Sequence, residues 1–404
     1  MKECSVKPGV ALRWNRLELE KEAKMILDQK HARFQKLCRQ FAETEFTKEL
    51  LDKLEETGEF DWDIFKKIAK YGFCGVKIPK EYGGAGGDYL SYAILVEEFA
   101  RVSPVLSIYA NTSNSLGGGP LMLAGSEEQK QKYLPPVARG DEIMAFALTE
   151  PGAGSDAGGT TTRAVEQEDG SFILNGRKTF ISGAPMADYC IVFAKTDPKQ
   201  KGSRGISMFV LDMHLPGVSL GKPEHKMGIK GYPTCDVIME DVHVPADALV
   251  GKKDKGFGYA MQTLDGGRLG MAAQGVGIAQ GCLEEAVKYA KDRKQFGRPI
   301  ANFQAISFML ADMATETEAA RQLVYHAAEL KDAGKDAGMA CSMAKYFAAE
   351  AANHVAYKAV QIHGGYGYIS EYKVERFYRD ARIVPIYEGT SQVQQMVISG
   401  MLLK

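Results

Sequence analysis

The sequence predicts an α+β multidomain protein with an N-terminal all-α domain, a middle antiparallel β-barrel-like domain and a C-terminal four-helix bundle. Three observations predict this order. Apolar residues follow helical spacing at the start, short β-rich runs broken by Gly, Pro, Asn and Asp occupy the middle, and long alanine- and methionine-rich stripes fill the end. We expect an N-terminal extension at 1–24, followed by domains at 25–143, 144–255 and 256–404.

The first domain carries helical stripes and one explicit helix start. Its first stripe falls at i, i+3, i+4, i+7 and i+8 and consists of Phe34, Leu37, Cys38, Phe41 and Ala42. A second stripe consists of Trp62, Phe65, Ile68 and Ala69. Ser126 and Gln129 have the spacing of a capping box, which predicts that a helix begins there.

The middle domain is predicted from short runs of strand-forming residues. They lie at 172–174, 189–193, 206–211 and 237–239. Asn175-Gly176 is a strong hairpin signal, and we expect a turn at this dipeptide. The last domain is predicted from helical patterns at 258–292, 302–331 and 337–361, joined by short connections.

Composition excludes several classes of function. The 404 residues carry 50 Lys and Arg against 51 Asp and Glu, so the chain lacks the charge for binding nucleic acid or an acidic membrane. Seven scattered cysteines without CxxC spacing predict neither a zinc site nor disulfides. No apolar run is long enough to span a bilayer and no targeting signal is evident, so we expect a cytoplasmic protein of bacterial type without membrane insertion.

A lone carboxylate near the C-terminus is the first candidate for chemistry. Tyr387-Glu388-Gly389-Thr390 precedes a predicted helix that Thr390 or Ser391 would cap. Glu388, flanked by an aromatic residue and a glycine, is a candidate general base. It could equally be an acidic residue that the dipole of the following helix favours.

A glycine-rich loop, Thr149 to Asp156, opens the β-domain. Strands follow it instead of a strand-turn-helix unit, so the dinucleotide fingerprint does not apply. Its backbone N–H groups and hydroxyls suit a phosphate or the polar edge of a ring. A loop that merely turns remains the alternative.

Three further motifs follow along the chain. In Arg177 to Gly183, Phe180 and Ser182 share one face of a strand, where they could contact a planar cofactor or simply pack in the sheet. In Asp292 to Pro299, guanidinium groups at a helix break suit a pyrophosphate or form a solvated turn. In Gln361 to Gly367, glycines end a helix and permit close backbone approach, and His363 is predicted to be a structural residue or one that supports the site indirectly, and not a catalyst.

In this order and at these separations, the five motifs resemble those of the flavin-dependent acyl-CoA dehydrogenases over residues 25–404. The resemblance is closest to the short-chain, butyryl-CoA branch, especially at 264–270 and 361–368. Many members have Trp-Ile-Thr where this chain has Phe180-Ile181-Ser182, a change that keeps an aromatic ring and a hydroxyl. The resemblance implies that FAD lies between the β-domain and the bundle, with its adenine end reaching a neighbouring subunit.

The resemblance also assigns residues. Glu388 is the implied catalytic base, because the alternative position near Asp265 holds Gly266 and Gly267. The implied FAD contacts are Phe146, Leu148, Thr149, Gly154, Ser155, Phe180, Ile181, Ser182, Arg293, Gln295, Phe296, Gln304, Gln361, Gly364, Gly365, Thr390 and Gln392. The implied acyl-CoA contacts are Ser155, Asp265, Arg268 and Gly389.

The implied reaction is dehydrogenation of an acyl-CoA, expected to be short-chain, to trans-2-enoyl-CoA. The implied enzyme is a homotetramer, arranged as a dimer of dimers, that passes electrons to electron-transfer flavoprotein. Alternatives are the reverse reaction, as an acrylyl- or aryl-acrylyl-CoA reductase of an anaerobe, and an acyl-CoA oxidase. A non-enzymatic helical assembly protein is a different class. Acyl chain length depends on pocket depth, for which Tyr109, Asn111, Leu116 and Met122 lie in the relevant segment.

Overall fold

The first domain is helical, as predicted. The computed structural model describes residues 27–403, so the expected extension at 1–24 lies outside the described residues. The helices of the first domain are α1 (Gln29–Glu45), α2 (Lys48–Thr57), α3 (Trp62–Lys70), α4 (Tyr89–Val102), α5 (Pro104–Thr112), α6 (Gly119–Ala124) and α7 (Glu127–Arg139). A single π-helical turn, Ser113–Gly117, joins α5 to α6. Such turns are frequent at functional sites.

Local sequence signals in this domain are largely confirmed. Ser126 and Gln129 form the predicted capping box at the start of α7, each side chain accepting from the other residue's backbone N–H. Cys38, Phe41 and Ala42 of the first stripe are buried. Leu37, by contrast, is 41% exposed because it lies at the edge of the stripe.

The middle domain is a twisted sheet of eight strands. They are β1 (Met144–Ala147), β2 (Arg163–Glu166), β3 (Phe172–Ser182), β4 (Tyr189–Lys195), β5 (Ile206–Asp212), β6 (Val218–Leu220), β7 (Thr234–Val244) and β8 (Leu249–Val250). The order is β6-β7-β3-β2-β4-β5-β8, with β1 paired to β4. The pairing is mainly antiparallel, as predicted, although β4 pairs in parallel with both β1 and β2.

The predicted hairpin turn at Asn175-Gly176 is wrong, because both residues lie inside β3 at a break in its register with β7. The Asn175 side chain bridges to Asp241 of β7 instead of closing a turn. A methyl group at Gly176 would overlap Thr162, so the glycine serves close packing. The turn between β2 and β3 lies at Gly170, whose φ is +83° and whose N–H donates to the Gln167 carbonyl.

A second register break in β3 aims a side chain outwards. Phe180 has a φ of +58° between Lys178 and Ile181. Phe180 is 64% exposed and Ser182 is also exposed, whereas Ile181 between them is buried. The two side chains therefore share one face, as the sequence pattern predicts.

The last domain is the predicted helical bundle, built from α8, α9, α10 and α12 with a short α11. Its helices are α8 (Gly256–Asp292), α9 (Gln304–Asp332), α10 (Gly338–His363), α11 (Lys373–Ala381) and α12 (Ser391–Leu402). A small hairpin of β9 (Lys294–Gln295) and β10 (Arg298–Pro299) lies between α8 and α9. Helix α8 packs against α4 of the first domain in one apolar core, which joins the two helical domains. Within residues 27–403, no helix combines the length and hydropathy needed to cross a membrane.

A buried ion pair fixes the glycine-rich loop to the sheet. Lys178 of β3 is fully buried and donates to Glu150 Oε1 at 2.8 Å and to the Leu148 carbonyl at 3.1 Å. The Glu150 carboxylate also accepts from the backbone N–H groups of Thr161 at 2.7 Å and Thr162 at 3.0 Å. Burial alone raises the pKa of Glu150, but Lys178 and the hydroxyl donors outweigh it and hold that pKa well below its usual range.

We predict that Lys178→Met destabilises the protein by about 3 kcal/mol or more, because it leaves a buried carboxylate without its cation. Urea unfolding followed by circular dichroism measures the loss. The exposed Lys199 of the same domain supplies the control, since Lys199→Met should change stability by less than about 0.5 kcal/mol. Equal stability of the two variants would show that the ion pair contributes little.

Candidate active site

The cavity that contains Glu388, called the main cavity, has a volume of about 270 Å³ and lies where the three parts of the chain meet. Its walls come from α5 and the π turn, from the glycine-rich loop and β3, from α8, and from the loop before α12. The lining residues are Ile108, Asn111, Thr112, Ser115, Leu116, Phe146, Leu148, Thr149, Gly154, Ser155, Ala157, Phe180, Ile181, Ser182, Phe257, Met261, Leu264, Arg268, Met271, Tyr387, Glu388, Gly389 and Val393.

Glu388 lines this cavity and does not serve as a helix cap. Thr390 caps α12, its hydroxyl accepting from the Val393 N–H at 3.2 Å. Glu388 has a φ of +52° and Gly389 a φ of +96°, so the chain turns sharply before the helix. Glu388 Oε2 is buried and has no hydrogen-bond partner among the described residues. A buried, unpartnered carboxylate oxygen at a cavity wall is available to a bound molecule.

Burial and the neighbouring charges have opposing effects on the pKa of Glu388. Burial raises the pKa of Glu388 to about 7, while the positive charges of Lys345 and Arg268 act to lower it. Lys345 of α10 is fully buried, and burial lowers its own pKa to about 8. A carboxyl group that titrates near neutrality can both accept and return a proton at physiological pH.

Several hydrogen bonds hold the loop that carries Glu388. Lys345 Nζ donates to the Gly389 carbonyl at 2.6 Å. Gln394 Nε2 donates to the same carbonyl at 3.0 Å and to that of Glu388 at 3.3 Å. The Tyr387 hydroxyl donates to Gln274 of α8. The loop is thus tied to α8, α10 and α12, and these contacts offset the cost of its left-handed backbone.

Gly267 of α8 provides the space for the carboxylate. A methyl group there would overlap Glu388 Oε2 and lie 2.9 Å from its Cδ. At the neighbouring Gly266 the nearest atom to such a methyl group is Lys77 Nζ at 3.9 Å. Only one glycine of this pair is therefore required sterically.

The predicted acyl-CoA contacts come from α8, from the glycine-rich loop and from the loop before α12. Arg268 Nη1 donates to Asp265 Oδ1 at 2.6 Å. Arg268 lines the cavity, and its buried Nε has no partner among the described residues. Asp265 is not among the lining residues, whereas Ser155 and Gly389 are.

The predicted flavin contacts divide between two cavities. Those from the β-domain, Phe146, Leu148, Thr149, Gly154, Ser155, Phe180, Ile181 and Ser182, all line the main cavity. Arg293, Gln295, Phe296, Gly364 and Gly365 line a second, open cavity of about 740 Å³ at the ends of α8 and α10. The two cavities share no lining residue. Gln304, Gln361, Thr390 and Gln392 line neither.

The second cavity has aromatic walls and one cation. His363 lines this cavity, stacks on Tyr289 with ring centroids 4.2 Å apart, and donates from Nδ1 to the Ala359 carbonyl at 2.8 Å. Arg293 forms no ion pair within residues 27–403 and lies over the Tyr366 ring. Phe296 is 92% exposed with a φ of +50°. An exposed aromatic ring beside an unpaired guanidinium suits a nucleotide with phosphates.

The sequence motifs did not reveal the groups that hold Glu388. Lys345, Gln274 and Gln394 lie on helices with ordinary helical patterns, and each is completely buried. The one sequence signal for such a group was Lys345, a lysine among the alanines of a stripe predicted to be buried. No group of three or more metal-ligating side chains occurs in the part of the chain that the structure describes.

Comparison with known proteins agrees with this geometry. Family models match residues 28–141 (acyl-CoA dehydrogenase, N-terminal domain), 145–242 (middle domain) and 254–403 (C-terminal domain). The chain is 60% identical to the caffeyl-CoA reductase-Etf complex subunit CarC of Acetobacterium woodii and 56% identical to the 3-(aryl)acrylate reductase of Clostridium sporogenes. Each match covers 94% of this chain and 100% of the relative.

A solved structure shares the whole fold. Butyryl-CoA dehydrogenase from Megasphaera elsdenii superposes with a TM-score of 0.91 at 44% identity, over 94% of this chain and 99% of that one. The chain therefore belongs to the acyl-CoA dehydrogenase family and is an oxidoreductase. The family resemblance and the three-part fold class predicted from the sequence are confirmed.

We predict that Gly267→Ala lowers the rate of acyl-CoA oxidation at least 100-fold, because the new methyl group displaces the Glu388 carboxylate. Gly266→Ala is the matched control, since it makes the same change one residue away without a close contact. Gly266→Ala should melt at or above the temperature of the parent, because alanine favours a helix over glycine. In Gly267→Ala the cost of displacing the buried carboxylate offsets that gain. Equal activities would mean that Glu388 does not act from this position.

We predict that Lys345→Met moves the acidic limb of the pH–rate profile for acyl-CoA oxidation upwards by on the order of one unit. Removing the nearby positive charge raises the pKa of Glu388 further, so a higher pH is needed to form the carboxylate. Gln394 still donates to the Gly389 carbonyl in this variant. Lys345→Arg keeps the charge and should retain the original limb. An unshifted limb in the methionine variant would contradict an electrostatic role.

Proposed function

We propose that this chain interconverts an acyl-CoA thioester and its trans-2-enoyl-CoA with FAD as cofactor, and that Glu388 transfers the proton. The observation that carries the proposal is the buried, unpartnered Glu388 Oε2 at the wall of the main cavity. Membership of the acyl-CoA dehydrogenase family supports the reaction class and makes a non-enzymatic assembly role untenable.

The chain's own groups account for the proton transfer. A thioester makes its α-protons acidic, but not enough for a solvated carboxylate to remove one. Burial makes the Glu388 carboxylate a stronger base. The Glu388 backbone N–H has no acceptor within residues 27–403, so it can donate to the thioester oxygen as negative charge develops there. The α-proton passes to Glu388 while a hydride leaves the β-carbon.

The site fits FAD, which when bound accepts that hydride at flavin N5 or returns it in the reverse reaction. Phe180 provides an exposed ring beside the main cavity. The hydroxyls of Thr149 and Ser155 line that cavity. We assign the flavin ring to this wall, with Arg268 and Asp265 toward the CoA portion.

The separate position of the second cavity supports a shared cofactor site between subunits. Arg293, Gln295 and Phe296 lie at the far end of α8, in a cavity that shares no residue with the main one. We assign this cavity, with the adjacent Gln304 and Gln361, to the adenosine and pyrophosphate of FAD bound by a neighbouring subunit. Thr390 and Gln392 follow Gly389 beside the main cavity, and we assign them to FAD as well. The proposed assembly is a homotetramer arranged as a dimer of dimers. The proposed domains of each chain are residues 25–143, 144–255 and 256–404.

The proposed electron partner is electron-transfer flavoprotein, and the proposed location is the bacterial cytoplasm. The relative from Acetobacterium woodii is named as part of a complex with Etf. Oxidase activity is the remaining alternative, and the fold is shared with a prolyl acyl carrier protein oxidase at a TM-score of 0.89 and 32% identity.

A second candidate is the reductive direction, with an aryl-acrylyl-CoA as substrate. The relatives that are 60% and 56% identical are both named as reductases of aryl-substituted acrylates or their CoA thioesters. The same residues serve both directions, since protonated Glu388 would deliver the proton to the α-carbon as hydride reaches the β-carbon. A pKa near 7 suits either role.

We predict that Glu388→Gln retains FAD but loses turnover in both directions by at least a factor of 10³. The wild-type protein should show opposite pH dependences around pH 7, because oxidation needs the carboxylate and reduction needs the carboxylic acid. Flavin bleaching by acyl-CoA and enoyl-CoA reduction by a reduced dye measure the two directions. Near-normal turnover in the glutamine variant would exclude Glu388 as the proton-transferring group.

A further inference from the structure

The end of the main cavity formed by α5 and the π turn carries three polar residues beside the apolar Ile108 and Leu116. Asn111, Thr112 and Ser115 all line it. Thr112 Oγ1 is already bonded to the Ile108 carbonyl at 3.0 Å and to the Tyr232 hydroxyl at 2.9 Å, and Ser115 Oγ donates to the Asn111 carbonyl at 3.0 Å. The Asn111 Nδ2 is the N–H donor of this group that has no acceptor among the described residues, while the Ser115 and Thr112 hydroxyl oxygens keep lone pairs that can accept a ligand's hydroxyl proton.

Asn111 is held firmly with one donor unused. Its Oδ1 accepts from the hydroxyl of Tyr92, which is fully buried in α4. Asn111 itself is only 4% exposed, and its Nδ2 donates to no acceptor among the described residues. An amide N–H facing an apolar alkyl chain would lose its hydrogen bonds to water without replacement, which costs free energy.

Helix α8 sets the spacing between Asn111 and the base. The Glu388 carboxylate lies over Gly267, whereas Asn111 Oδ1 would lie 2.6 Å from a methyl group at Gly270. Positions three apart lie on the same side of a helix, separated by roughly 4.5 Å along its axis. Leu116 and Met271 supply apolar lining between and around these points. From an α-carbon beside Glu388, a ring on the β-carbon and its para hydroxyl reach past this spacing, which leaves room for a hydrogen bond to the Asn111 amide.

We propose that Asn111 binds the ring hydroxyl of a phenol-bearing acyl group, so that the preferred substrates are 4-hydroxyphenyl-substituted propanoyl- and acrylyl-CoA thioesters. This inference rests on the proposed function and adds the substrate class and the residue that selects it. The Asn111 amide donates to the phenol oxygen, while Tyr92 fixes the amide in place. The ring lies against Leu116 and Met271.

The test compares the holoenzyme on three thioesters: 4-hydroxycinnamoyl-CoA, cinnamoyl-CoA and crotonyl-CoA, with a reduced viologen dye as electron donor. The wild-type kcat/KM should favour the hydroxylated ring over the unsubstituted ring roughly tenfold, as for one neutral hydrogen bond in a buried site. Asn111→Leu should bring this ratio close to one. Partial unfolding lowers both rates equally, so the ratio reports the contact alone.

A binding measurement gives an independent readout. Calorimetry with 3-(4-hydroxyphenyl)propanoyl-CoA and 3-phenylpropanoyl-CoA should show the same tenfold preference in Kd for the wild type and its loss in Asn111→Leu. If the leucine variant does not fold, Asn111→Ser, which keeps a small polar group beside Tyr92, replaces it. A wild-type ratio near one, or an unchanged ratio in the variant, overturns the inference. Failure of all three thioesters to turn over would instead count against the proposed function.

Discussion

The burial of the Glu388 carboxylate is the constraint on which the rest of the site depends. Its pKa near 7 means that ionising this group in the folded chain costs on the order of 3 kcal/mol more than in water. Because the folded pKa lies above the ordinary value, the stabilising effect of the proton is complete at low pH. It is lost as pH rises through about 7. The protein tolerates this cost because it gains a carboxyl group that exchanges a proton near neutrality.

Two kinds of contact keep that pKa from rising further and keep the group in place. Lys345 and Arg268 lower the pKa from two different helices, and Lys345 also binds the backbone of the same loop. Gln394 and the Tyr387–Gln274 contact hold the left-handed turn. The geometry and the electrostatics of the base therefore come from shared residues, so a change at one of them alters both.

Helix α8 organises the active site for the whole chain. It contacts the first domain and presents Arg268 to the main cavity. Its glycines leave space for neighbouring side chains, Gly267 for Glu388 and Gly270 for the Tyr92–Asn111 pair. The β-domain supplies the opposite wall, with the glycine-rich loop fixed by the Glu150–Lys178 ion pair. The same helix ends at Arg293, in the second cavity. One rigid element thus spans the regions assigned to substrate and cofactor.

Local rules of sequence were sufficient for the order of the domains, the capping box at Ser126 and the aligned pair Phe180 and Ser182, because these depend on neighbours within a few residues. They limited the cap of α12 to Thr390 or Ser391, and the structure selects Thr390. The same rules misplaced the turn at Asn175-Gly176, since packing against Thr162 and pairing with Asp241 decided that position. Only the tertiary structure brought Lys345, Gln394 and Asn111 beside motifs far away in the chain. Burial and charge at Glu388 are sums over elements from all parts of the fold, so no single segment of the sequence contains them.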